Sequence, residues 1–136
     1  MANTWKFYAD AGLTTELASL DLPQSTGGPA AETVIWFGSI AAGKQARNAA
    51  DPGTDPIVLS VVDANSGAGL PATAIKLALT YAGLASATPG ASVTLGTTLN
   101  SGAANKVAVY VRADSGASAP QTFTDLSLQT STLLET

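Results

Sequence analysis

The side chains that do most enzymatic work are the place to begin. The chain carries ten Asp and Glu, six Lys and Arg, and neither His nor Cys. Without an imidazole or a thiol, the Ser-His-Asp and Cys-His forms of nucleophilic catalysis are closed within the chain, as are metal sites built on His or Cys. A serine–lysine dyad remains formally open, but no Ser-x-x-Lys occurs in the sequence. The Gly27-Gly28 pair in Pro23–Ala31 lacks the Gly-Lys-Ser/Thr ending of a phosphate loop.

Carboxylates are the remaining reactive groups. Asp51 and Asp55 flank a Pro-Gly turn, and Asp63 with Asn65 opens the next loop. Oxygens so placed could gather a calcium ion, yet the pattern is no EF-hand, and Asp before Pro or Gly is ordinary turn chemistry. No two acids are spaced so as to single out a glycosidase pair. The expectation is a protein that is not an enzyme, with no catalytic residue, no cofactor and no metal.

Aromatic residues offer recognition instead. Trp5, Tyr8, Trp36, Tyr81 and Tyr110 could line a sugar platform or a protein interface. For Trp5 and Trp36 the favoured reading is the core of the two sheets. Tyr110 and Arg112 share one face of their strand, which suits an interface hot spot and equally an ordinary half-exposed sheet face. Tyr81, Tyr110 and Arg112 are the candidate interface residues.

These side chains must be positioned by strands. Asp55–Asp63 reads DPIVLSVVD and Lys106–Asp114 reads KVAVYVRAD; both are rich in β-branched residues and bounded by turn formers. Val107, Val109 and Val111 fall on one face, with Ala108, Tyr110 and Arg112 on the other. Ile57, Leu59 and Val61 share a face, and Val58 and Val62 make the opposite one apolar too. Further strands are expected at Thr4–Ala9, Thr14–Leu20, Glu32–Ser39, Ala74–Tyr81, Ala91–Leu99 and Thr122–Leu134. In Glu32–Ser39 the run Val34–Phe37 is apolar on both faces, which suits a central strand or one covered by a partner. Asp10-Ala11-Gly12 is expected to turn with glycine supplying positive φ. Ile40–Ala50 reads as an irregular connection with at most one helical turn, because Gly43 weakens it and no apolar stripe emerges. Pro23–Ala31, Asp63–Ala72, Gly83–Ala91 and Asp114–Gln121 read as loops. The fold class expected is all-β: an antiparallel β-sandwich of seven or eight strands, immunoglobulin-like, in a single domain over residues 1–136.

Composition narrows the setting. Charged residues make up 12% of the 136 residues, and the net charge is −4. A globular chain usually carries about 25% charge, so the surface is either dominated by small neutral residues or partly buried in an assembly. Mild acidity and scattered basic residues argue against nucleic acid as a partner. No apolar run approaches the roughly 20 residues that cross a membrane, and the N-terminus lacks a basic start followed by an apolar run. The chain is expected to be made in a cytoplasm and to stay soluble there or leave by lysis.

Four stretches, FYADAGLT (7–14), VIWFG (34–38), DPGTDPI (51–57) and LGTTLNSG (95–102) running into Val107–Arg112, resemble the small structural proteins of tailed bacteriophages and their prophages. The resemblance implies an Ig-like sandwich in the virion, made in the bacterial host cytoplasm. It implies a capsid decoration or minor capsid protein that cements the shell, a homo-oligomer with a trimer favoured, whose partner is the major capsid protein. A tail or baseplate accessory protein, bound to tail proteins, belongs to the same class; a glycan-binding module for host attachment is the other alternative. The N-terminal strand and the tail Ser131–Thr136 would then serve as assembly arms that add to a neighbouring sheet.

Overall fold

A computed structural model describes residues 4–20, 28–64, 70–114 and 126–136. Among them the strands, in chain order, are β1 (Lys6–Tyr8), β2 (Ala31–Gly38), β3 (Gln45–Asn48), β4 (Ile57–Asp63), β5 (Ile75–Ala78), β6 (Val93–Gly96), β7 (Thr98–Asn100), β8 (Val107–Ala113), β9 (Leu126–Thr130) and β10 (Leu133–Glu135). One short helix, α1 (Gly83–Ser86), follows β5. Every strand pairing is antiparallel, and the fold is an all-β sandwich.

Alternation builds the first layer. Its order is β1-β2-β8-β5. Every second residue turns toward the other layer: Phe7 on β1, Ile35 and Phe37 on β2, Ile75 and Leu77 on β5, Val109 and Val111 on β8. Trp5 joins them just before β1.

The second layer follows from register. β3 lies between β10 and β7, and β4 between β9 and β6. Reading backwards along Asn100–Val93, the partners are Gln45, Ala46 and Arg47, then Ile57, Val58 and Leu59. Reading backwards along Glu135–Leu126, they are Ala46 to Asn48, then Leu59 to Asp63. β3 and β4 are therefore two halves of one central row, flanked by the long segments β6–β7 and β9–β10, with residues 49–56 looped out between the halves. Asn48 closes that loop: its Nδ2 donates to the Pro56 carbonyl at 2.8 Å, and its Oδ1 accepts from the Ala50 amide at 2.9 Å. Ala46, Ile57, Leu59, Leu95 and Leu99 carry this layer's share of the core.

Several expectations need correcting. Thr14–Leu20 is no strand; it touches β1 through a single bridge, Tyr8 to Glu16. Asp10 organises the turn before it, accepting from the Thr14 hydroxyl at 2.6 Å and from the Thr14 and Thr15 amides. The positive φ falls on Leu13 (56°) instead of Gly12. A left-handed leucine is strained by about 1–2 kcal/mol; burial of its side chain against Gly38 offsets this, since a Cβ on Gly38 would lie 2.9 Å from Leu13 Cδ1. Within the expected irregular stretch Ile40–Ala50, Gln45–Asn48 is a strand. Gly83–Ala91, expected as loop, contains α1. Ala91–Leu99 breaks at Gly96, and Thr122–Leu134 breaks before Leu133, so the described strands exceed the seven or eight expected. Most of the expected loops Pro23–Ala31, Asp63–Ala72 and Asp114–Gln121, and residues 122–125 of the last strand, lie outside the described residues.

Both segments expected to act as arms are paired inside their own chain. β1 lies on β2, and β10 on β3. Glu135 joins the two, accepting from the Thr4 amide at 2.7 Å and the Thr4 hydroxyl at 2.6 Å, while that hydroxyl also meets the buried Ser39 Oγ. The Thr4 hydroxyl and amide, with help from Lys44, hold the Glu135 carboxyl below its ordinary pKa.

Two outcomes follow. Asn48→Ala loses both loop-closing bonds and lowers unfolding free energy by about 1–2 kcal/mol in chemical denaturation. A depressed carboxyl contributes stability above its unfolded pKa, near 4.3, and that contribution is lost as pH falls through the folded value. Urea midpoints of wild type and Glu135→Gln therefore differ at pH 7 and converge as pH falls below the ordinary carboxyl range and through the depressed folded value.

Candidate functional site

The outer face of the first layer carries the residues that the core does not use. On β8 these are Ala108, Tyr110 and Arg112; on β2, Glu32, Val34 and Trp36; on β5, Lys76 and Ala78. Register aligns them in rows across the sheet: Trp36 beside Ala108, Val34 beside Tyr110 and Ala78, Glu32 beside Arg112 and Lys76.

Two elements cover part of this face, each seated on a small residue. Leu13 occupies the space over Gly38 at one end. Helix α1 packs on β5 and β8, with Gly83 so near that a Cβ there would lie 3.2 Å from the Ala78 Cβ. Its Leu84 is fully buried. The turn leading into α1 leaves Leu79 and Tyr81 exposed, Tyr81 at 61%.

The three residues singled out from the sequence converge here. The Tyr81 and Tyr110 rings meet edge to face, with centroids 6.2 Å apart and planes at 70°. Arg112 donates from Nη2 and Nε to Glu32 Oε2 at 2.8 and 3.0 Å. Tyr81 Oη donates to the other carboxylate oxygen, Oε1, at 3.5 Å. Glu32 thus ties Tyr81 and Arg112 together, a role its sequence position did not reveal. The pair is half-shielded, with 27% and 29% of the two side chains exposed. A shallow hollow beside it is lined by Glu32, Lys76, Arg112 and Asp114, together with Pro29 and Pro89.

Trp5 is in the core, as the favoured reading had it, whereas Trp36 is half-buried on the outer face of the first layer, in line with Tyr110's strand. Tyr8 is buried at that face's edge. The Asp51–Asp55 segment is a turn in which the Asp51 carbonyl accepts from the Thr54 and Asp55 amides. Among the described residues, no cluster of three His, Cys, Asp or Glu is placed to hold a metal ion, and no helix is long and apolar enough to cross a membrane.

What this arrangement offers is recognition. It combines two tyrosines, the half-buried Val34 and an ion pair in which two guanidinium N–H groups share one carboxylate oxygen, with both groups partly exposed; aromatic rings and arginine are common at interface hot spots. No family model matches the chain, and neither a curated protein nor a solved structure matches it. The functional reading therefore stands on the residues and their geometry.

Stability measurements separate recognition from packing on this face. Tyr81→Ala changes unfolding free energy by less than about 1 kcal/mol, because most of the ring is already in water. Leu84→Ala, one turn away, costs about 2–5 kcal/mol through the cavity it leaves. Thermal and urea melts of the two variants check the contrast.

Proposed function

We propose that this chain is a non-enzymatic structural protein of a bacteriophage virion, a decoration or minor capsid protein that docks on the shell through the outer face of its first layer. The observation that carries the reading is that Tyr81 meets the Tyr110 ring and, through Glu32, joins Arg112, on a sheet face that α1 and Leu13 leave partly open. Exposed tyrosine beside a half-shielded ion pair suits a partner surface that is itself part apolar and part polar. The partner in this reading is the major capsid protein. A tail protein of the same particle would meet the same chemistry. A surface made largely of small neutral residues is in keeping with a subunit packed among neighbours.

A second reading has one observation in its favour. Trp36 shares the outer face with Tyr110, and Tyr81 meets the Tyr110 ring. Aromatic rings bordered by carboxylate and guanidinium groups are also what a sugar-binding face presents. Since Trp5 is buried in the core, a glycan on this face would quench Trp36 fluorescence selectively.

The deciding experiment is quantitative mass spectrometry of particles banded from lysates of a host carrying this gene. The expected result is the chain in many copies per particle, with Tyr81→Ala/Arg112→Ala reducing its occupancy at least ten-fold. Particles that band without the wild-type chain overturn the reading.

A further inference from the structure

Each sheet has two edges, and an edge strand presents unpaired backbone groups unless something covers or breaks it. In the first layer both edges are managed. β1 is met by residues 15–17, where the Leu17 amide donates to Phe7 O and the Ala9 amide to Thr15 O. β5 is flanked by α1 and by the segment after it, whose Gly90 amide donates to Ile75 O. In the second layer, β6 is broken by a register shift against Ile57 and Val58 and by Gly96 at φ 136°. Such a bulge twists an edge away from pairing.

β9 is different. It runs Leu-Ser-Leu-Gln-Thr, without charge, proline or glycine. Among the described elements, its packing is on β4. The Ser131 amide donates to Val58 O, and hydrogen-bonded pairs alternate along an antiparallel ladder. Gln129 with Ser60 and Ser127 with Val62 are therefore the bonded pairs. The amides and carbonyls of Leu126, Leu128 and Thr130 point away from β4, toward an edge that no strand pairs among the described residues.

We propose that the open edge of β9 pairs antiparallel with β9 of a second copy of this chain, about a two-fold axis at Leu128. The strand is complementary to itself in that register. Leu126 faces Thr130 of the second copy, Leu128 faces Leu128, and the three outward pairs exchange about six backbone hydrogen bonds. On the solvent face, Ser127 lies opposite Gln129. No like charges meet, and the leucines, half-buried now, gain a cross-strand neighbour. Each sandwich's second layer then continues into the other's. The contact is two-fold, so its product is a dimer in place of the trimer that the phage resemblance implies. It lies on the opposite layer from Tyr81 and Arg112, so it stands or falls apart from the proposed function.

Sedimentation velocity of the full chain across about 1–300 µM tests it, a range that brackets the micromolar affinity expected of so small a contact. The expected result is reversible conversion from the 13.5 kDa monomer to a species of twice that mass. Thr130→Pro removes one outward amide and no bond within the chain, and it abolishes the dimer while leaving far-UV circular dichroism unchanged. Should that variant fold poorly, two solvent-face variants carry the test. Ser127→Lys/Gln129→Lys sets lysine against lysine across the axis and weakens the dimer at least ten-fold. Ser127→Glu/Gln129→Lys sets glutamate against lysine and restores it. A monomer throughout the range, a trimer, or a dimer indifferent to the charge pattern overturns the proposal.

Discussion

Apolar burial between two sheets has to hold this molecule together, because there is no cysteine to cross-link it. β4 and β8 supply the centre of that core. Ile57 and Leu59 from one, with Val109 and Val111 from the other, are at most 1% exposed. Each sits in the middle of its own layer, β8 between β2 and β5 and β4 between β6 and β9. A strand flanked on both sides has its backbone groups paired and one face on the core, so its register is tightly specified; a slip of one residue would turn Val109 and Val111 outward and Tyr110 inward. The positions of Tyr110 and Arg112 on the outer face are thus a consequence of where the valines must go.

The outer face shows how small residues choose what is covered. Gly38 and Ala78 leave room for Leu13 and for Gly83 at the start of α1, and Leu13 and the helix's Leu84 are both buried. Where the face carries larger side chains, at Val34, Tyr110 and Arg112, no such cover is seated among the described residues, and Tyr81 and Glu32 form the local structure. The ion pair between Glu32 and Arg112 adds little to stability by itself, as half-exposed pairs are worth about 0–1 kcal/mol. Its value lies in geometry: two bonds from the guanidinium fix both groups, and the free oxygen of Glu32 faces the Tyr81 hydroxyl.

The second layer solves a different problem. Its central row is interrupted, yet the flanking segments run past the interruption and pair with both halves. Asn48 and Ser131 do the joining at the gap: Asn48 closes the loop, while Ser131 donates its amide to Val58 O and accepts from the Val58 amide through its hydroxyl. The row therefore behaves as one strand with an inserted loop, and it draws Ala46 into the same core as Ile57 and Leu59.

Alternating β-branched and apolar residues determined from the sequence alone that β2, β4 and β8 are strands and that the chain is all-β; on β8 they separated the valine face from Tyr110 and Arg112, whereas β4 is apolar on both faces and only its packing in the second layer turned Ile57 and Leu59 inward. The same alternation put Tyr110 and Arg112 together, since residues two apart on a strand share a face whatever the fold. β3 was silent because Gln-Ala-Arg-Asn offers a period-2 pattern only one alanine the means to show itself; it becomes a strand because β7 and β10 supply backbone on both sides. The break of the long strands at Gly96 and before Leu133 arises from pairing with two halves of one row, which no local window contains. Glu32 entered the site, and Tyr81 came into contact with the other candidates, only when β2 paired with β8 in register and the turn before α1 brought Tyr81 to Tyr110. The Glu32 contacts with Arg112 and Tyr81 span 80 and 49 residues of chain, and pairings at such distance are set by how layers pack and strands register, a property of the assembled structure that neighbouring residues do not encode.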